Sequence, residues 1–72
     1  MTQDILTKHI ELNNFLKVVG ITNTGWRAKV IIRSGSVKVN WDVETRNKRK
    51  LHAGDAVECD GKSFVVEEKY VR

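Results

Sequence analysis

The sequence predicts an α+β fold in which two short helices pack on a small, mostly antiparallel sheet. Three observations carry that prediction. Apolar residues fall at helical spacing in the first half of the chain, with Leu12, Phe15, Leu16 and Val19 at i, i+3, i+4 and i+7. After Gly35 the period changes to two, so that Val37 and Val39 point one way and Lys38 the other. Near the end, Asp60-Gly61 is a strong hairpin signal, because both central residues of a type I′ turn need positive φ. Helices first and strands second is the order of an α+β domain, not of alternating βαβ units.

Taken in order, Met1 to Asp4 are polar and expected to be loose, and Ile5 to Ile10 could form a short edge strand. The first helix runs from Glu11 to Gly20, where glycine takes the usual C-terminal position and Ile21 can pack back. Thr22 to Thr24 make a tight joint. Asn23 or Thr24 caps a second helix from Gly25 to Arg33 or Ser34, and Gly35 closes it. At about 100° per residue, Ala28, Ile31 and Ile32 form the core face of this helix. Trp26, Lys29, Val30 and Arg33 form the opposite face. Beyond it come a strand over Val37–Val39, a turn at Asn40-Trp41-Asp42, a returning strand at Val43-Glu44-Thr45 and a basic loop from Arg46 to Lys50. His52-Ala53-Gly54-Asp55 is a turn, Asp55 bonding its own backbone. Ala56–Cys59 is a strand whose two-residue loop sets Cys59 opposite Lys62 and Val57 opposite Phe64. Val65, Val66 and Tyr70 extend the last strand.

Charge is distributed unevenly. Thr24 to Lys50 holds eight of the thirteen Lys and Arg residues and two of the nine acids. Its local balance is +6, against +4 for the whole chain, so the remainder is weakly acidic. Such asymmetry points to a polyanion partner, most simply nucleic acid. Seventy-two residues make one domain with a modest core. The single cysteine, Cys59, allows no internal disulfide and suits a reducing compartment. The start MTQDILTKHI lacks the basic leader and apolar run of a signal peptide, and no segment approaches a membrane span. A cytoplasmic protein with no membrane partner is expected.

The run Ala28, Ile32, Gly35, Val37-Lys38-Val39-Asn40, Val43-Glu44-Thr45-Arg46, Arg49-Lys50-Leu51 and Gly54-Asp55 before Val57 resembles the S-four domain. That is the RNA-binding domain named after small-subunit ribosomal protein four. The helix around Leu12, Phe15 and Leu16 matches its first helix. The resemblance spans roughly Ile10 to Glu58 and is greatest to small stand-alone bacterial members, which leaves no room here for a catalytic domain. It implies a monomer that binds structured RNA, ribosomal RNA in particular, in ribosome assembly or another translation-linked process. Carried over by position, the contacts it implies are Arg27, Lys29, Arg33, Lys38, Arg46, Lys48, Arg49 and Lys50. The chain departs from the family pattern in two places. Thr24-Gly25 stands where a Ser-Arg pair opens the second helix, and Trp41 stands where a glycine follows Val-Asn.

Individual residues allow competing readings. The basic stretch is either a phosphate-binding surface, with Lys and Arg displacing counterions, or a solvated face. Trp26 is assigned to the RNA surface, yet both Trp26 and Trp41 could pack in the core or stack on a base. Gly25 could admit a phosphate to a helix N-terminus or simply start the helix. His9, His52 and Cys59 match no zinc spacing and are expected to be a surface pair and a buried strand thiol. No nucleophile elbow, phosphate loop or paired-acid site is visible. No enzyme activity, cofactor, metal or small-molecule substrate is therefore expected. A protein-interaction module that uses its basic face against an acidic partner is the alternative, and a detached piece of an RNA-modifying enzyme is a third class.

Overall fold

The computed structural model of the chain describes residues 8–72. The polar start Met1–Asp4 lies outside them, as does most of the expected Ile5–Ile10 strand. Within the described residues the first strand is β1, Ile10–Glu11, which runs directly into α1, Leu12–Val18. Then come α2, Gly25–Arg33, and the strands β2, Val37–Val39, β3, Asp42–Val43, β4, Lys50–Leu51, β5, Ala56–Cys59, and β6, Lys62–Val65. A 3₁₀ turn, Glu68–Tyr70, follows.

α1 buries Leu12, Phe15 and Leu16, while Val19, the fourth residue of that spacing, is the C-cap and is only partly buried. It ends in a Schellman arrangement: the Gly20 N–H donates to the Lys17 carbonyl at 3.1 Å and the Ile21 N–H to the Leu16 carbonyl at 3.0 Å. The joint is held by Thr22, a buried residue whose hydroxyl accepts from the Thr24 N–H at 3.3 Å. Of the two candidate caps for α2, Thr24 does the work, its hydroxyl accepting from the Arg27 N–H at 3.1 Å. Ala28 and Ile32 are fully buried and Ile31 partly so. Gly35, at φ 84°, carries the left-handed exit that turns the chain from helix to strand.

The larger sheet is antiparallel, in the order β3-β2-β5-β6; β1 and β4 form a separate antiparallel pair with Ile10 opposite Leu51 and Glu11 opposite Lys50. The last hairpin closes through Asp60-Gly61, both at positive φ, with Val57 opposite Phe64 and Cys59 opposite Lys62, as the two-residue loop requires. Val37, Val39, Val57 and Cys59 point inward to meet α1 and α2, and with Leu51 and Val66 they complete one core.

Three expectations are corrected. The β2–β3 turn is only Asn40-Trp41, because Asp42 already pairs with Val39. β3 ends at Val43: the Glu44 N–H still donates to the Val37 carbonyl of β2 at 2.9 Å, but beyond it the chain leaves the sheet, with the Glu44 carboxylate turned towards two arginines. Tyr70 does not extend β6. It sits in the 3₁₀ turn, with its ring edge-on to Phe15 at 5.9 Å between centroids, while Phe64 meets Phe15 at 6.3 Å from another side.

Candidate nucleic-acid interface

The outer face of α2 is built by helical spacing alone. With Ala28 and Ile32 held in the core, Trp26, Lys29, Val30 and Arg33 are left in solvent one turn apart. Trp26 is 73% exposed, so its indole is not a core group. It separates two shallow depressions: one lined with Lys29, Val30, Arg33 and Ser34, the other with residues of the Thr22–Thr24 joint and Arg27. The structure therefore brings Trp26, Lys29 and Arg33 onto one surface and leaves Arg27 on the other side of Trp26, beside the joint. Lys17 adds a cation that the basic stretch did not include. Its ammonium stands 3.9 Å from where a Cβ on Gly25 would lie, beside the start of α2.

The remaining predicted residues are placed differently from one another. Lys38 is exposed on the sheet face away from the core, opposite Val43 on β3 and Glu58 on β5. Lys48 is exposed in the loop. Lys50 is exposed too, but it belongs to β4 and not to the loop.

Arg46 and Arg49 converge on Glu44. The Glu44 carboxylate accepts from the Arg46 backbone N–H at 2.9 Å, from Arg46 Nε at 3.0 Å, from Arg46 Nη2 at 3.1 Å and from Arg49 Nη1 at 2.6 Å. The two-pronged bond to Arg46 fixes the plane of that guanidinium. These bonds, those of the Arg46 side chain first, hold the Glu44 carboxyl down at about 2 against the opposing effect of burial. The same bonds raise the pKa of Arg46. Each arginine keeps N–H groups free, so the cluster presents two oriented guanidinium edges rather than two mobile side chains.

The backbone of this loop is structural as well. α1 follows Glu11, which makes no side-chain cap, and its first N–H groups are met by loop carbonyls: Leu12 donates to Arg49 at 2.8 Å and Asn13 to Asn47 at 3.1 Å. Glu44 as an anchor is a residue that sequence reasoning missed. Its signal was an acid inside a basic run, two and five positions before arginines. Trp41 is 71% exposed at the tip of the β2–β3 hairpin and likewise is not a core residue.

The other polar candidates have ordinary roles. Cys59 is buried, and burial pushes its thiol pKa up. The His9 and His52 rings lie 6.4 Å apart, tilted. Asp55 accepts from the His52 N–H at 2.8 Å and from Asn40 Nδ2 at 3.3 Å, closing its turn. Among the described residues no group of three His, Cys, Asp or Glu side chains is gathered to hold a metal.

Comparison with known proteins places this geometry in a family. YbcJ of Escherichia coli (strain K12), whose name marks it as a candidate RNA-binding protein, is 43% identical over 58 residues, covering 81% of this chain and 83% of YbcJ. RlbA of Bacillus subtilis (strain 168), named as a probable ribosome maturation protein, is 38% identical over 55 residues, covering 76% of this chain and 78% of RlbA. The solution structure of Escherichia coli YbcJ, described as revealing an "alfaL" motif involved in RNA-binding, matches with a TM-score of 0.64 at 42% identity. That match covers 82% of this chain and 75% of the other. The family model of the S4 domain matches residues 4–67. The two helices on an antiparallel sheet, together with that match across most of the sequence, show that the chain belongs to the S4 domain family.

Proposed function

We propose that the chain binds structured RNA without catalysing a reaction on it, and that the RNA is ribosomal, bound during ribosome maturation. The observation that carries the reading is the exposed stripe of α2, where Lys29 and Arg33 flank an apolar strip of Trp26 and Val30 that no core packing requires. Cations on a rigid helix with an indole between them suit phosphates beside a base face. Arg46 and Arg49, oriented by Glu44, supply a second fixed group of donors. Because A-form RNA offers little sequence through its deep groove, recognition by shape is the expected mode. The names of YbcJ and RlbA agree with RNA as the ligand and with maturation of the ribosome as the process. The chain is proposed to act as a cytoplasmic monomer, consistent with its single buried thiol.

The test is crosslinking in cells followed by sequencing of the bound RNA, with a salt titration of the purified chain. Ribosomal RNA should dominate the recovered sequences. If about four cations meet phosphates, log affinity should fall against log salt with a slope of about −3. A flat salt dependence, or binding to an acidic protein that structured RNA fails to displace, would remove RNA as the ligand.

A further inference from the structure

The β2–β3 hairpin contains a residue that folding alone would not choose. Its two loop residues both lie at positive φ, Asn40 at 50° and Trp41 at 76°. Such a turn favours Asn first and Gly second. Asn40 suits its place, since its short polar side chain tolerates the left-handed region. Trp41 does not, because a bulky side chain at positive φ is strained.

Strain of this kind persists where the surroundings fix it, and here they do. The Asn40 N–H donates to the Ala56 carbonyl at 2.8 Å, and the Asn40 side-chain oxygen accepts from the Ala56 N–H at 3.0 Å. Its Nδ2 reaches Asp55 at 3.3 Å. The hairpin tip is thereby stitched to the turn before β5. The indole it carries gains nothing from the core, being 71% exposed. Among the described residues it stacks on no aromatic ring and lies under no cation. The backbone that carries this large apolar ring is already fixed, so binding need not order the hairpin beneath it.

We propose that Trp41 is a base-stacking residue: the indole at the tip of the β2–β3 hairpin takes one unpaired base of the bound RNA. The inference rests on the RNA reading above and adds to it the kind of RNA. Trp41 stands three residues from Glu44, about 10 Å at the rise of an extended strand. The unpaired base therefore belongs to the same region of the RNA as the phosphates met by Arg46 and Arg49. The preferred ligand is a helix interrupted by an unpaired nucleotide, and a continuous duplex lacks the group this residue recognises. Stacking needs only a π face, so the residue reads the presence of an unpaired base and not its identity.

The test compares two synthetic RNA duplexes, one fully paired and one identical but for a single bulged adenosine. The proteins are the full chain, Trp41→Gly and Trp41→Asn, since both replacements accept positive φ. The wild type should prefer the bulged duplex. Trp41→Gly and Trp41→Asn should each lose about tenfold in affinity for it, within the range one stacked base supplies. Their affinity for the paired duplex and their salt slopes should stay unchanged, because no phosphate contact is lost. Their melting temperatures should equal or exceed that of the wild type, because a strained residue has been relieved. In the ¹⁵N spectrum, the indole signal that Trp41→Gly removes should move when the bulged duplex is added. Equal binding of the bulged duplex by all three proteins would overturn the stacking role and leave the RNA reading standing. An equal loss on both duplexes would also overturn it. Absence of salt-dependent binding of either duplex by the wild type would overturn both.

Discussion

Glu44→Gln isolates the charge of the buried carboxylate while keeping its size. Glu44 is 7% exposed and accepts four hydrogen bonds, three from Arg46 and one from Arg49. Its pKa is lowered from 4.5 to about 2, with the Arg46 side chain as the main cause. Holding a carboxyl that far down is worth about 3 kcal/mol unscreened. The Arg46 side chain is 73% exposed, so solvent screening brings the figure to about 1–2 kcal/mol. The sign follows from the direction. A carboxyl with a depressed folded value stabilises fully above its unfolded pKa, and the contribution is lost as pH falls from about 4.5 through about 2. Glutamine cannot ionise, and its amide N–H₂ meets donors where the carboxylate met them as an acceptor. At pH 7 the variant should melt about 5–15 °C below the wild type, given the steep dependence of melting temperature on free energy in a domain this small. The gap should close as pH falls towards about 2.5. Thermal melts followed by circular dichroism across that range provide the measurement. A gap that stays constant with pH would show that Glu44 acts by packing, and no gap at pH 7 would show that the cluster does not stabilise the fold.

Four further outcomes follow from the same structure. Ile32→Ala should cost about 2–5 kcal/mol and leave the domain largely unfolded or strongly destabilised. Lys29→Ala with Arg33→Ala should barely change the melting temperature but reduce the salt slope of RNA binding by about 0.7–0.9 per lost phosphate contact; the reverse pattern in melts would mean the wrong face of α2 is inward. Arg46→Ala with Arg49→Ala should lower the melting temperature, because it strands the buried Glu44 carboxylate, whereas Lys48→Ala with Lys50→Ala should not; equal melts for the two pairs would refute the cluster. Cys59 should react with a thiol reagent at pH 8 far more slowly in the folded chain than in urea, since burial both hides it and raises its pKa; similar rates would show that the β5 thiol is accessible.

Elements that depend on neighbours in sequence were legible before the structure. The faces of α1 and α2, the Thr24 cap, the helix-to-strand switch at Gly35 and the register across Asp60-Gly61 each follow from spacing within a few residues. The family resemblance rested on some of those positions, Ala28, Ile32 and Gly35 among them. What the sequence hid is which way a polar or aromatic side chain turns once the core has formed, whether its partner is near or far along the chain. Arg46 and Arg49 look like two more loop cations until the fold turns Glu44 inward beneath them. Composition allowed either a buried or an exposed indole, and Trp26 and Trp41 were decided by Ala28, Ile32 and Asn40, which leave no inward position for them. Tyr70, expected to extend the last strand, instead sits in a 3₁₀ turn with its ring against Phe15, a contact between the two ends of the described chain that no local pattern announces.

The caps of the two helices differ in the distance they draw on. Thr24 serves α2 from the adjacent position, so that helix can begin as soon as its own residues exist. α1 takes its first two hydrogen bonds from the carbonyls of Arg49 and Asn47, more than thirty residues later. Its outer rim is completed only when the chain has closed that large loop, and loop closure is the slow step for contacts of high sequence separation. A short helix with no local cap is marginal by itself. During synthesis α1 therefore emerges well before the segment from Asn47 to Arg49 that supplies its first hydrogen bonds, and its N-terminal turn stays without those partners until that segment has followed.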